Sequence, residues 1–210
     1  MIIDISRTLS PAIAVWPGDT PFSLSTNLSL AEGASVNLTA LTLSAHAGSH
    51  IDAPYHFQQA GTTVEGLSLE LYWGLAQVVT VSQQEGGLLP EAFAGYDLSR
   101  APRLLVRSAC SEMDPGVFPS AFVYPTPELA SFLGEQSVIL YGTDAPSMDA
   151  EDSKTLEGHH ALAAHGIAIL EGLDLSRAAD GLYELAALPL KIAGGDGSPV
   201  RAALRPFAAS

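Results

Sequence analysis

Cysteine is nearly absent from this chain. Cys110 stands alone among 210 residues, which rules out an internal disulfide framework and makes a reducing setting, the cytoplasm, the expected one. Its neighbours Ala109 and Ser111 form no nucleophile motif, so Cys110 reads as a buried, inert thiol. Basic residues are scarce as well: 9 Lys and Arg stand against 23 Asp and Glu, a formal charge of −14. Nucleic acid and anionic membrane surfaces are poor partners for such a chain, because both need a basic face. No run reaches the roughly 18 unbroken apolar residues of a membrane span. The opening Met-Ile-Ile-Asp-Ile-Ser-Arg has neither a basic leader nor a long apolar core, and reads as a strand rather than a signal peptide.

What the chain does have is apolar material and turns. It is 47% hydrophobic with 14 Pro and 19 Gly, enough for a sizeable core in one domain spanning residues 1–210. Short strands are expected at Ile2–Ile5, Val36–Ser44, Leu75–Val81, Arg103–Arg107, Ser137–Tyr141 and Ile167–Leu170, with a closing strand over Leu188–Ile192. Thr126-Pro127-Glu128 has the cap, the first-turn proline and the early acid of a helix start. That helix should run to Leu133 and stop at Gly134. A second helix should cover Gly158–His165 and close at Gly166. Strands outnumber helices, so the expected class is α/β with a mixed, β-rich core. If the strands holding Ile139 and Ile169 are parallel, Asp144 and Glu171 leave the same sheet edge, where open α/β sheets bind ligands.

The densest chemistry lies in His46-Ala-Gly48-Ser-His50-Ile-Asp52-Ala-Pro54-Tyr-His56, which holds three of the chain's six histidines and one carboxylate. Neutral imidazole and carboxylate are the side chains that bind zinc and similar divalent ions. All four polar groups sit at even positions and would share one face of a straight strand, but at about 3.3 Å per residue His46 and Asp52 would stand roughly 20 Å apart. Ligands of one ion lie within about 2.2 Å of it, so the chain must bend. Gly48 permits a bend and Pro54 imposes another. A helix would also pair His46 with His50, but Gly48, Ser49 and Ile51 are modest or poor helix formers, which favours a bent loop at a strand end.

The other histidines are His159, His160 and His165. Adjacent helical residues point about 100° apart, so only one of His159 and His160 faces a given ion. Glu171 follows His159 by twelve residues, across a helix and a return strand that can bring the two together. Spacing alone leaves open whether this pair binds an ion or is an ordinary helix histidine with a loop carboxylate. His165, in the last helical turn, suits capping, and His160 a supporting or surface position.

These segments resemble a known family. The His46–His56 run is similar to the His-x-Gly-Thr-His-x-Asp-x-Pro-x-His signature of the metal-dependent cyclase-like hydrolases, with Ser49 in place of threonine and the hydroxyl kept. Ile2-Ile-Asp-Ile-Ser-Arg-Thr-Leu-Ser10, Trp16-Pro-Gly-Asp19, Gly142-Thr-Asp-Ala-Pro-Ser147 and Glu157-Gly-His-His160 through Ile169-Leu-Glu-Gly172 extend the likeness along nearly the whole chain, and Trp16 points to its bacterial kynurenine formamidase (arylformamidase) branch. The resemblance implies a swivelling β/β/α fold, a homodimer and two divalent ions per subunit, most often zinc. It implies that His46, His50 and Asp52 hold one ion, that Asp52 and Glu171 bridge to a second completed by His159, that His56 is the general acid/base, and that Trp16 lines the substrate pocket. The implied substrate is N-formyl-L-kynurenine. Asp144 and Ser147 are candidates for reading its amino-acid head group, with a turn-forming role for Asp144 equally open. Two alternatives stand beside this: another hydrolase on the same scaffold, acting on a cyclic amide such as isatin or a cyclic ester, and a non-catalytic metal-binding protein with closed sites.

Overall fold

Arg103-Leu-Leu-Val-Arg107 carries three adjacent apolar residues between two cations, a pattern suited to a strand covered on both faces. In the computed structural model, which describes residues 1–207, it lies at the centre of the main sheet. The strands are β1 (Ile3–Asp4), β2 (Ser23–Leu28), β3 (Leu38–Thr42), β4 (His50–Asp52), β5 (Trp73–Thr80), β6 (Gly86–Leu88), β7 (Arg103–Arg107), β8 (Val123–Pro125), β9 (Leu140–Thr143), β10 (Ala168–Glu171), β11 (Gly181–Ala186), β12 (Gly197–Pro199) and β13 (Ala203–Pro206). The helices are α1 (Pro127–Glu135) and α2 (Glu157–Ala164). Nine strands form one mixed sheet in the order β1-β13-β11-β5-β7-β9-β10-β4-β12. The result is a strand-rich α/β fold, as the composition and the resemblance led one to expect.

Side chains alternate across this sheet. Leu104, Val106 and Ile169 pack with Leu129, Leu133, Met148 and Leu162 beneath the two helices. Leu105 and Leu170 turn to the opposite face and join Ile5, Ile51, Tyr72, Leu185 and Leu204. Both faces of the central strands are therefore buried. Helix α1 begins as its sequence dictates: the Thr126 hydroxyl accepts from Leu129 N–H at 3.2 Å, with Pro127 in the first turn.

Register places the chemistry. β9 and β10 are parallel, so Asp144 and Glu171 do leave the same edge. β4 runs antiparallel to β10 with His50 opposite Glu171 and Asp52 opposite Ile169, and β12 sets Gly197 beside Asp52. Helix α2 can start close against the Met148 loop because residue 158 is glycine: a Cβ there would sit 2.0 Å from the Met148 carbonyl oxygen.

Four expectations are corrected. The strand expected at Ser137–Tyr141 forms over Leu140–Thr143, because Ser137 still belongs to the turn after α1, at φ +60. Leu188–Ile192 is not a strand. Pro189 lacks the N–H a ladder needs, only an isolated bridge joins it to Val200, and Leu190 is 60% exposed. The closing strands are β11, β12 and β13. Helix α1 does not stop at Gly134 but continues to Glu135. Gly134 serves close packing instead, since a Cβ there would lie 2.8 Å from Nδ1 of His165. The strand expected at Val36–Ser44 forms only over Leu38–Thr42 and pairs with β2 in a separate hairpin, every strand residue of which is exposed.

Candidate metal centre

The bend predicted in the histidine run is present. Gly48 adopts φ +65, in the left-handed region that favours glycine, and the chain then enters β4. Pro54 opens a single 3-10 turn, Pro54–His56, that carries His56 back toward His46. The rings of these two histidines lie 4.1 Å apart between centroids, tilted by 37°. His159 comes from the first turn of α2 and Glu171 from the end of β10, and both are buried.

The ring nitrogens sort into two sets. One nitrogen of each buried or half-buried histidine faces the carboxylates of Asp52 and Glu171. His46 Nδ1 lies 2.9 Å from Asp52 Oδ1. His50 Nε2 lies 3.5 Å from Asp52 Oδ1 and 3.2 Å from Glu171 Oε2. His159 Nε2 lies 3.3 Å from Asp52 Oδ2 and 3.5 Å from Glu171 Oε1. The second nitrogen of each ring faces an outer acceptor: Asp196 Oδ2 at 3.0 Å for His46, the Gly48 carbonyl at 3.0 Å for His50, and Asp149 Oδ2 at 2.6 Å for His159. Imidazoles that bind metal keep this arrangement, one nitrogen for the ion and the other held by a carboxylate or carbonyl.

Two observations make this set fit divalent cations. Asp52 Oδ2 and Glu171 Oε1 are buried and accept no hydrogen bond, which is costly for a carboxylate oxygen unless a cation comes to it. Candidate ligand atoms of His50, Asp52 and Glu171 converge within 4.8 Å of one another, as do those of His46, Asp52 and His56. His56 is thus within reach of the centre, on its more open side. Among the described residues, no other cluster of histidine, cysteine or carboxylate groups converges in this way.

Electrostatics tell the same story. Burial opposes charge on His159, yet Asp149, Asp52 and Glu171 outweigh it and push the imidazole up to about 12. Burial likewise opposes charge on His46, and Asp52 and Asp196 raise it to about 9. Asp52 is held well below the usual carboxylate range, because His159, His46 and His50 override the effect of its own burial. In the absence of a metal, protons on the imidazoles balance the carboxylates. A bound cation takes over that task and releases them.

Trp16 sits in the wall of a cavity of about 560 Å³ that also reaches His46, His50, His56, His159 and Glu171. Its indole packs edge-on against Phe118, with centroids 5.3 Å apart. Asp144 has a different place. Its carboxylate accepts from the backbone N–H and the hydroxyl of both Ser108 and Ser111, at 2.6–3.0 Å. That leaves it little capacity for a substrate and settles the open alternative in favour of a structural role. The Ser147 hydroxyl accepts from Asp149 N–H. His160 is exposed and meets the edge of Phe57, while His165 lies at the exposed end of α2.

The sequence reading missed Asp149 and Asp196. Asp149 binds the His159 ring and also accepts from the backbone N–H of Gly158 and His159, where a carboxylate meets the positive end of α2. Its position ten residues before His159 matches no spacing rule. Asp196 comes from a Gly-Gly-Asp-Gly turn that reads as a plain loop.

The Cyclase family model matches residues 3–150, more than half of the chain. The chain belongs to the cyclase family. Within it, this chain is 45% identical over 205 residues to the kynurenine formamidase of Bacillus cereus, covering 98% of this chain and 97% of the relative. Its fold is similar to that of isatin hydrolase A from Labrenzia aggregata, with a TM-score of 0.84, 26% identity, and 99% of this chain and 94% of that chain covered. It is also similar to a structure described as a potential metal-dependent hydrolase with cyclase activity, at a TM-score of 0.84 and 23% identity over 97% of this chain and 96% of that one, a likeness of fold alone.

Proposed function

We propose that this cyclase is an arylformamidase that hydrolyses N-formyl-L-kynurenine to L-kynurenine and formate, a step of tryptophan breakdown. The reading rests on its 45% identity, over nearly the full length of both chains, to a kynurenine formamidase, together with the one observation that carries the chemistry: three imidazole nitrogens facing two buried carboxylates, each with one oxygen that accepts no hydrogen bond. His46, His50 and Asp52 would hold one divalent cation. Asp52, Glu171 and His159 would hold a second, and zinc suits these donors best. Cations held there would supply a water of lowered pKa and an electrophilic pull on the formyl oxygen.

The protein's own groups do the rest. His56, one-third exposed at the cavity mouth, accepts the proton from water and returns it to the departing aniline nitrogen. Imidazole is the side chain suited to taking and returning a proton in one reaction cycle. Trp16 offers a flat apolar surface to the kynurenine ring.

The whole 1–210 chain acts as one hydrolase domain, in the cytoplasm and as a homodimer. No helix among the described residues is long and apolar enough to cross a membrane. The dimer reading has support in the β2–β3 hairpin, which leaves Leu24, Leu28, Leu38 and Leu41 each at least 45% exposed. A second copy of the chain would cover such an apolar arm.

The test is kynurenine release from its formyl derivative, with isatin as the competing substrate, before and after metal is stripped and restored. Undiminished hydrolysis by folded, metal-free protein would sink the proposal. Faster opening of isatin than of formylkynurenine would assign the chain to the cyclic-amide branch to which its fold is also similar.

A further inference from the structure

Asp196 is the carboxylate that no motif announced, and its surroundings give it a specific task. A single oxygen, Oδ2, lies 3.3 Å from His56 Nδ1 and 3.0 Å from His46 Nε2. The two rings it touches are themselves in contact. No cation in the chain pairs with this carboxylate among the described residues, so its partners are the two imidazoles.

Its backbone is fixed to the segment that carries His56. The Asp196 carbonyl accepts from Ala53 N–H at 2.9 Å, directly before the Pro54–His56 turn. The Gly195 carbonyl accepts from Val64 N–H at 2.9 Å, and Gly194 N–H donates to Glu65 Oε1 at 2.8 Å, on the far side of that turn. On the other flank, Gly197 pairs with Asp52, and a Cβ at 197 would lie 2.7 Å from the His46 ring. Asp196 and the His56 turn therefore move as one unit.

A neutral imidazole carries one N–H, and a carboxylate can only accept. With Asp196 Oδ2 beside Nδ1, the His56 proton resides on Nδ1 and the lone pair is left on Nε2. With a cation at the centre, the same oxygen would hold the His46 proton on Nε2 and leave Nδ1, on the Asp52 side, free to ligate. We infer that Asp196 is a positioning residue for His56: it fixes the ring's orientation and its tautomer, so that Nε2 is the atom that takes and returns the proton. The inference rests on the reading of His56 as the acid/base group. Carboxylates that set a catalytic imidazole's tautomer are worth up to about 10⁴-fold in turnover in serine proteases.

The experiment is a double-mutant cycle on the zinc-loaded enzyme, with metal content measured throughout. In the wild-type background, Asp196→Asn lowers kcat on N-formyl-L-kynurenine by about 10²-fold or more and changes KM by less than about threefold, with metal content unchanged. In the His56→Ala background the same substitution changes kcat by less than about threefold, because the group it acts through is gone. Asp196→Ala behaves as Asp196→Asn does in both backgrounds. Independently of substrate, ¹⁵N-histidine NMR of the zinc-loaded protein in alkaline buffer finds His56 protonated at Nδ1 in the wild type and redistributed toward Nε2 in Asp196→Asn. Equal losses in both backgrounds, a loss cured by excess zinc, or His56 protonated at Nε2 in the wild type would each overturn the inference. A wild type that binds zinc but leaves formylkynurenine intact would refute the proposed function, and the tautomer measurement would still decide the role of Asp196.

Discussion

Two buried carboxylates of the same sheet region, Asp144 just past the end of β9 and Asp52 within β4, have opposite lives. Asp144 accepts four hydrogen bonds from Ser108 and Ser111. Asp52 is just as buried, yet one of its oxygens accepts none and imidazoles surround it. Burying a carboxylate costs several kcal/mol unless its lone pairs are occupied. Asp144 meets that cost with local donors and stabilises the fold. Asp52 meets it only with protons borrowed by histidines or with a metal. A deficit of hydrogen bonds, rather than burial itself, separates the carboxylate proposed to bind a cation from the one that builds the fold.

The contrast can be broken by mutation. Asp52→Asn gives the largest expected change: at least one ion is lost per subunit by elemental analysis, and turnover falls below about one thousandth. Full occupancy in that variant would refute the assignment. His56→Ala is expected to keep its metal while turnover drops by about 10²-fold or more. Parallel loss of metal would make His56 a ligand, as its proximity to His46 and Asp52 permits.

Asp144→Ala should leave metal stoichiometry intact in the folded fraction and cost about 3 kcal/mol or more of stability, since buried donors lose their acceptor. Denaturant midpoints and metal content together check this, and a variant of normal stability that lacks metal would reverse the comparison. The mildest effect concerns pH. In metal-stripped protein, His46 and His159 have folded pKa values raised above the ordinary 6.5. Their contribution to stability is therefore complete below pH 6.5. It is lost as pH rises through about 9, where His46 gives up its proton, and on toward 12, where His159 does. Thermal melting of stripped protein should decline over that range while the zinc-loaded form stays nearly level. Equal slopes would show that ions do not replace those protons.

Much of this was legible from composition and spacing. Arg103–Arg107 announced a strand, Thr126-Pro127 a helix start, and Gly48 and Pro54 the bends that gather His46, His50, Asp52 and His56. His159 and Glu171 were ambiguous by spacing, because only tertiary register decides whether a helix histidine faces a strand carboxylate. Asp149 and Asp196 were invisible for the same reason, since they meet their histidines across ten and 150 residues. Leu188–Ile192 misled because an apolar run was weighed above the proline inside it. Gly134 misled because a glycine near a helix end can permit close packing instead of a turn.

The two stretches that make up the centre meet backbone to backbone. Gly172 has φ +64, and a Cβ on it would fall 2.2 Å from the carbonyl oxygen of Gly48. A single methyl group at position 172 would pry the histidine loop away from Glu171 without deleting any reactive atom. In a random-mutagenesis screen for lost activity, this site should yield null alleles as reliably as the ligands themselves, marking a seam where the molecule tolerates hydrogen and nothing larger.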